Sequence, residues 1–279
     1  MDTSDTNQND EQLNSSDPEV TNNEELSHSD KMIGIFTEPA KTFDNVSKFP
    51  PRTKDWILPL IILLALVSIT QIILIQNSEI KFQAKQKQMV KIQEQFDAAV
   101  EKGQMTREQA NQQMDRISDQ IDQGTGPVRL IIQTVSIFIV GFIIFLIFAA
   151  IHLMLSKLVL KGEGSYSSAL VANGLAAYIG MLHVIIAAVL SLAFSRLMND
   201  VNVATLIQAD KFSVVGFILG KLDVFSIWAY IVIGIGLSKM FKDSSSTKYI
   251  IMVFCVWIII DIIFYLLATV VPFLQFFIA

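Results

Sequence analysis

KLDVFSIWAYIVIGIGLSKMF, residues 221–241, sets a lysine and an aspartate two residues apart at the mouth of a long apolar run. Phe225 and Trp228 stand just inside that mouth, and the run is close to the ~20 residues a helix needs to cross a bilayer. Several further stretches of the 279-residue chain have the same length and character. The chain is 52% hydrophobic and 17% charged, with a mean hydropathy of +0.49, outside the usual soluble range. It reads as an all-α, polytopic membrane protein: a five-helix transmembrane bundle with an extramembrane helical-hairpin insert.

The net charge of −5 is misleading, because residues 1–30 hold nine acids and no Lys or Arg. Without them the balance is about +4, too small to support an argument for nucleic acid or an acidic substrate. The single cysteine, Cys255, lies in an apolar run, so an intrachain disulfide is excluded. No basic region followed by an apolar run opens the sequence, so no cleavable signal peptide is expected.

Residues 1–30 are rich in Asp, Asn, Ser and Glu and read as a disordered acidic tail. In residues 31–55, Ile33, Phe36, Ala40, Phe43 and Val46 or Ser47 recur at helical spacing, with Pro39 suited to a first turn. Such a segment fits an amphipathic helix on the membrane surface and, equally, one packed on loops of the same chain. The transmembrane domain takes residues 56–76 and 128–272. Spans are expected near 56–75, 128–155, 169–194, 223–241 and 249–270, with 212–220 apolar but too short to cross. Residues 77–127 are hydrophilic with two apolar seams, Met89, Ile92, Phe96, Ala99 and Ala110, Met114, Ile117, Ile121. Thr106 and Gln109 form a capping box between them, so a coiled-coil-like hairpin is expected. Each seam fits a second protomer equally well, which leaves a homo-oligomer open.

Lys and Arg near the span ends favour an N-terminus in the cytoplasm. Five of them lie between Lys31 and Lys54, joined on that side by Lys157, Lys161, Lys239, Lys242 and Lys248. Arg196 and Lys211 fall on the other side. The seven Lys and Arg of the hairpin are offset by eight acids.

The sequence carries no HExxH, no paired Cys and no phosphate-binding loop, and His28, His152 and His183 are far apart. No catalytic residue, metal site or cofactor is expected, and the chain is not expected to be an enzyme. Ionisable groups at membrane depth are the remaining candidates. At ~1.5 Å per residue, Asp261 lies about 18 Å and His183 about 21 Å from the cytoplasmic ends of their helices. They are expected to meet as a buried polar pair, either protonatable or simply hydrogen-bonded. By the same count Asp223 lies about 27 Å from Phe241, at the outer interface. Gln71, Gln133, Lys221 and Asp223 are therefore expected to form an outer polar cluster. An aspartyl-protease dyad of Asp223 and Asp261 needs both carboxylates at one depth, which this count denies.

Three stretches together resemble the Yip family of integral membrane proteins, named for interaction with Ypt/Rab GTPases, in its bacterial form. They are FTEPAKTFDNV at 36–46, KGEGSYSSALVANGLAAY at 161–178 and LDVFSIWAYIVIGIGLSKMF at 222–241. In the last, Leu222, Asp223, Phe225 and Trp228 carry most of the likeness. The resemblance implies a five-helix bundle with a cytosolic N-terminus and assigns no catalytic residue. The 77–127 hairpin departs from it, since the family loop there is short. The eukaryotic DLYGP-type motif is missing, so Rab binding does not carry over. The expected function is a membrane organiser or adaptor, with protein partners held through the tail or the hairpin and lipid around the bundle. The alternative is a small proton-coupled carrier or channel using His183 and Asp261.

Overall fold

The computed structural model describes residues 24–123, 127–210 and 213–270. Among them the regular structure is helical throughout: α1 His28–Thr37, α2 Pro39–Val46, α3 Lys54–Gln76, α4 Ser78–Glu101, α5 Arg107–Gln123, α6 Pro127–Leu158, α7 Tyr166–Ala193, α8 Val203–Ile207, α9 Val214–Gly220, α10 Val224–Met240 and α11 Ser246–Val270. Four helices are long and apolar enough to cross a membrane: α3, α6, α7 and α11. Helices α9 and α10 are long and apolar enough only together, as two half-helices bent by 58°, the form of a broken span or of a re-entrant loop. Alone, α10 has 17 residues, or about 25 Å of rise, short of the ~30 Å hydrocarbon core. The expected fourth span therefore reaches crossing length only together with the apolar stretch before it. The protein is multi-pass in the membrane.

Helix α7 is the axis of the bundle and packs against α1, α3, α6 and α10. The core is built from its Val171, Leu175 and Ile179, with Val232 and Leu237 of α10, Tyr249 and Val253 of α11, and Ile35, Phe43 and Val46 from the first two helices. Those last three are buried against α7 and α10, whereas Ile33 and Ala40 of the expected apolar face are exposed, so only part of that face is covered by the chain itself. Pro39 opens α2 at its first turn, where its missing N–H costs nothing.

Of the tail expected over residues 1–30, residues 1–23 lie outside the described residues. The last part does not behave as a tail. Ser27 caps α1 by accepting from the Asp30 amide, and Asn45 of α2 bonds the backbone of Glu24 and Leu26. The boundary of ordered structure thus comes before residue 31, because α1 begins at His28.

At the other end of α3, Asn77 accepts from the Glu79 and Ile80 amides and starts α4 almost without interruption. Helices α4 and α5 pack on each other, and the Thr106–Gln109 box closes reciprocally at 2.9 and 3.1 Å. The side of α6 bearing Ile139, Val140, Ile143, Ile144 and Ile147 is exposed, as expected of residues that face lipid.

Candidate functional site: charges at a broken span

Two registers place the polar residues. Gly174 of α7 lies against Trp56 of α3 and Gly180 lies against Leu63, so the two helices run parallel in constant register. His183 is then level with Leu66, halfway along α3. In the antiparallel pair α10–α11, Gly234 lies against Ile250, which makes Asp223 level with Asp261. Phe241 extends about 9 Å beyond the level of Tyr249 in this register. Depth counted from each helix's own end therefore misleads, and Asp223 lies deeper than the outer rim.

The partners also differ from those expected. His183 does not bond Asp261. Its Nε2 lies 3.4 Å from Asp223 Oδ2, and its ring stacks on Phe225 with centroids 5.5 Å apart. Asp261 is instead bridged by Lys221, whose ammonium also lies over the Phe217 and Trp257 rings. Of the expected outer cluster, only Lys221 and Asp223 come together at the break. Gln133 is brought level with Ile72, and so close to the level of Gln71, by the contact of Gly141 with Leu64. Both glutamines lie outward of His183, and among the described residues neither bonds Lys221 or Asp223. Asp223 and Asp261, though level, are held by different partners, so a shared-proton dyad does not form.

The break has a local cause. Gly220 ends α9, Lys221 sits at its C-cap, and Asp223 takes an extended conformation and N-caps α10. Its Oδ1 accepts from the Phe225 amide at 3.0 Å and its Oδ2 from the Ser226 hydroxyl at 2.7 Å. Cation at a helix C-terminus and anion at an N-terminus are the favourable arrangement for the helix dipole. Leu222 is exposed beside this buried cap, whereas Trp228 meets Phe36 of α1 edge to face.

A returning segment completes the site. After α7 the chain turns at Ser195, whose φ is +47°, and runs back along α7. Ser191 Oγ donates to the Ala187 carbonyl at 2.7 Å and accepts the Met198 N–H at 3.0 Å, the Val201 N–H points to His183 Nε2 at 3.3 Å, and the Val203 N–H donates to the Leu222 carbonyl. Non-helical backbone thus reaches the level of mid-α3, half-buried, with Met198 and Asn202 buried, in keeping with such backbone being tolerated at membrane depth only against protein or a water-filled cavity. Nothing in the composition of this segment marks a turn back.

A second charged network lies where α1 meets α3. Lys31, 1% exposed, donates to Glu25 at 2.7 Å and to Asp55 at 2.6 Å. His28 joins Asp55 at 3.2 Å and the Tyr178 hydroxyl at 2.6 Å, and Arg52 pairs with Glu25. Its sequence signal was Asp55 beside Trp56 at the start of an otherwise apolar span. Within the bundle His152 and Asn173 form a further buried pair at 3.0 Å. Among the described residues no group of three or more His, Cys, Asp or Glu is arranged to hold a metal.

No curated protein and no solved structure matches the chain. The Yip1 domain matches residues 33–269, from α1 to the last turn of α11. That range takes in all three stretches that suggested the likeness, and the chain belongs to the Yip1-domain family.

Proposed function

We propose that this protein is a non-enzymatic membrane organiser or adaptor, with a cytoplasmic N-terminus in a bacterial cytoplasmic membrane. Its contact surfaces are the N-terminal tail with α1 and α2 on one side, and the extramembrane α4–α5 hairpin on the other. The supporting observation is that α3 joins the two along the chain, running from the segment after α2 directly into α4 with only Asn77 between. A ligand on either surface then bears on opposite ends of one rigid helix. The Lys and Arg distribution supports the assigned orientation. The carrier reading depended on a His183–Asp261 pair, and these residues take separate partners.

Two measurements test the proposal. Photocrosslinkers placed along α4 and α5 in intact cells are expected to trap a discrete protein partner, and affinity capture of the chain is expected to lose that partner when residues 77–127 are deleted while the chain still inserts. Purified protein in liposomes is expected to give no proton-coupled flux. A flux abolished by Asp261→Asn would overturn the adaptor reading.

A further inference from the structure

We infer that Lys157, Lys161 and Lys242 form a headgroup site for anionic phospholipid at the end of the bundle nearest α2. This goes beyond the adaptor reading and does not rest on it, nor on which side of the membrane this end faces. Two backbone hydrogen bonds draw the three lysines together from separate elements. The Gly162 N–H donates to the Ser156 carbonyl at 2.9 Å, which sets the turn at Lys161 back against the last turn of α6, where Lys157 lies. The Glu163 N–H donates to the Phe241 carbonyl at 3.0 Å, which ties the same loop to the end of α10, one residue before Lys242. The two segments are in close contact, since an added Cβ at Gly164 would lie 2.5 Å from Cγ of Phe241.

All three lysines are exposed. Among the described residues none of them pairs with a carboxylate, whereas their neighbours Lys239 and Lys248 are held by Asp44 and Asp243. Glu163, also exposed, is the remaining acid of residues 157–163 and 239–248, so an excess of two positive charges stands open there. Membrane topology alone would be served by lysine anywhere in these loops. Two of the three instead occupy costly positions. Lys161 has φ +61° and Lys242 φ +57°, the left-handed conformation that glycine or asparagine ordinarily takes at helix ends. Of the four non-glycine residues with positive φ among the described residues, these two are the charged ones. Glycine would make either turn with less strain, so what lysine adds at each is its ammonium group.

Depth and apolar surface set the class of ligand. The apolar span of α6 ends at Leu158 and α10 ends at Met240, so the three lysines stand where the spans give way to lipid headgroups. Just inside them Ile147, Met154 and Leu158 follow helical spacing as one exposed ridge of α6, which Val159 extends. A ligand that fills both parts offers an acyl chain to the ridge and an anionic phosphate to the lysines. A zwitterionic phospholipid fits the ridge equally well, but its own cation offsets its phosphate.

The test uses the full chain purified in a neutral detergent and titrated with phosphatidylglycerol, with phosphatidylcholine of the same chain length, or with inorganic phosphate. Bound lipid is read by native mass spectrometry. Phosphatidylglycerol is expected to bind more tightly than phosphatidylcholine, by a margin that shrinks as salt rises. Lys157→Gln, Lys161→Gln and Lys242→Gln are each expected to weaken phosphatidylglycerol binding about fivefold and to leave phosphatidylcholine unaffected. Glu163→Gln is expected to strengthen it. Lys161→Gly is expected to weaken it as much as Lys161→Gln does, while the lipid-free thermal midpoint holds or rises, which separates the headgroup contact from a capping role. Lys41→Gln removes an exposed lysine of α2 that pairs with Glu38, and it is expected to change nothing. Equal binding of the two lipids by the unaltered chain would overturn the site. So would a phosphatidylglycerol preference that survives the three Lys→Gln substitutions together, or one that falls as far in Lys41→Gln. Inorganic phosphate displacing phosphatidylglycerol at equal concentration would also overturn it, because the acyl ridge would then contribute nothing.

Discussion

Lys31 illustrates how much single residues contribute that the sequence conceals. Its ammonium is buried between Glu25 and Asp55, partners 6 and 24 residues away, and Asp55 is shared with His28. Removing one partner of a buried ion pair leaves the other charge desolvated, at a cost of about 3–5 kcal/mol. Lys31→Met is therefore expected to lower the thermal midpoint in detergent markedly. The double variant Lys31→Met, Asp55→Leu is expected to be less destabilised than Lys31→Met alone, because no orphan carboxylate is left at Asp55. A double variant no better than the single would show that the network contributes nothing through its charges. Lys31 was legible only as one more positive charge before the first span, since His28 and Tyr178 are brought together from 150 positions apart. Asp223 was legible as an unusual residue at a helix mouth, but its depth was not. That depended on how far α10 overhangs α11, a matter of helix packing that no single helix records.

Among the elements, the bent pair α9–α10 and the hairpin carry the structure's specific features. The close contact of α10 and α11 rests on Gly234, where an added Cβ would lie 2.6 Å from the Ile250 Cα and 2.7 Å from its amide nitrogen. Backbone cannot yield as a side chain tip can, so the helices must part. Gly234→Ala is expected to cost about 1–3 kcal/mol and to weaken the Lys221–Asp261 bridge, read as a lower unfolding midpoint. Gly220 has nothing within 4 Å of such an atom. Gly220→Ala is expected to be neutral or stabilising by up to about 1 kcal/mol, and equal losses for the two variants would contradict the packing account.

In the hairpin, the Gln93 amide and then Arg107 hold the Asp97 carboxyl below the ordinary carboxylate value. A depressed folded value means that this contribution is present above the ordinary value and lost as pH falls through the lowered one. The exposed α4–α5 contact is thus expected to loosen in acid, with Arg107→Gln reducing the pH dependence of its helical signal. The hairpin, its capping box and the membrane helices were all legible because each follows from local periodicity and chain punctuation. The returning segment was not, because Ser191 and His183, the residues that hold it, belong to the helix before it.

For the molecule as a whole, one bundle stands between the two surfaces proposed to make contacts. The α1–α2 pair is built into the core at one end, and the α4–α5 hairpin stands at the other, where Gln83 donates to the Ser195 carbonyl just past α7. The family assignment accounts for the bundle but not for what the two surfaces hold. If α9 and α10 form one bent span, the 241–245 turn shares a side with α1, and the 208–210 loop shares a side with the hairpin. Cysteines introduced at Ser244 and Gln208 are expected to label from opposite faces. Labelling from the same face would show that the bent pair re-enters without crossing.

The most direct measurement of the central claim, two contact surfaces on opposite sides of one bundle, is site-specific labelling at the hairpin tip. With Cys255 replaced by Ser and a cysteine introduced at Gln104, an impermeant thiol reagent is applied to intact cells. A cysteine introduced at Glu38, on the α1–α2 side, provides the comparison. Gln104→Cys is expected to label at once and Glu38→Cys only after the membrane is opened. Labelling of Gln104→Cys only after permeabilisation, or of both positions from the same side, would contradict the account.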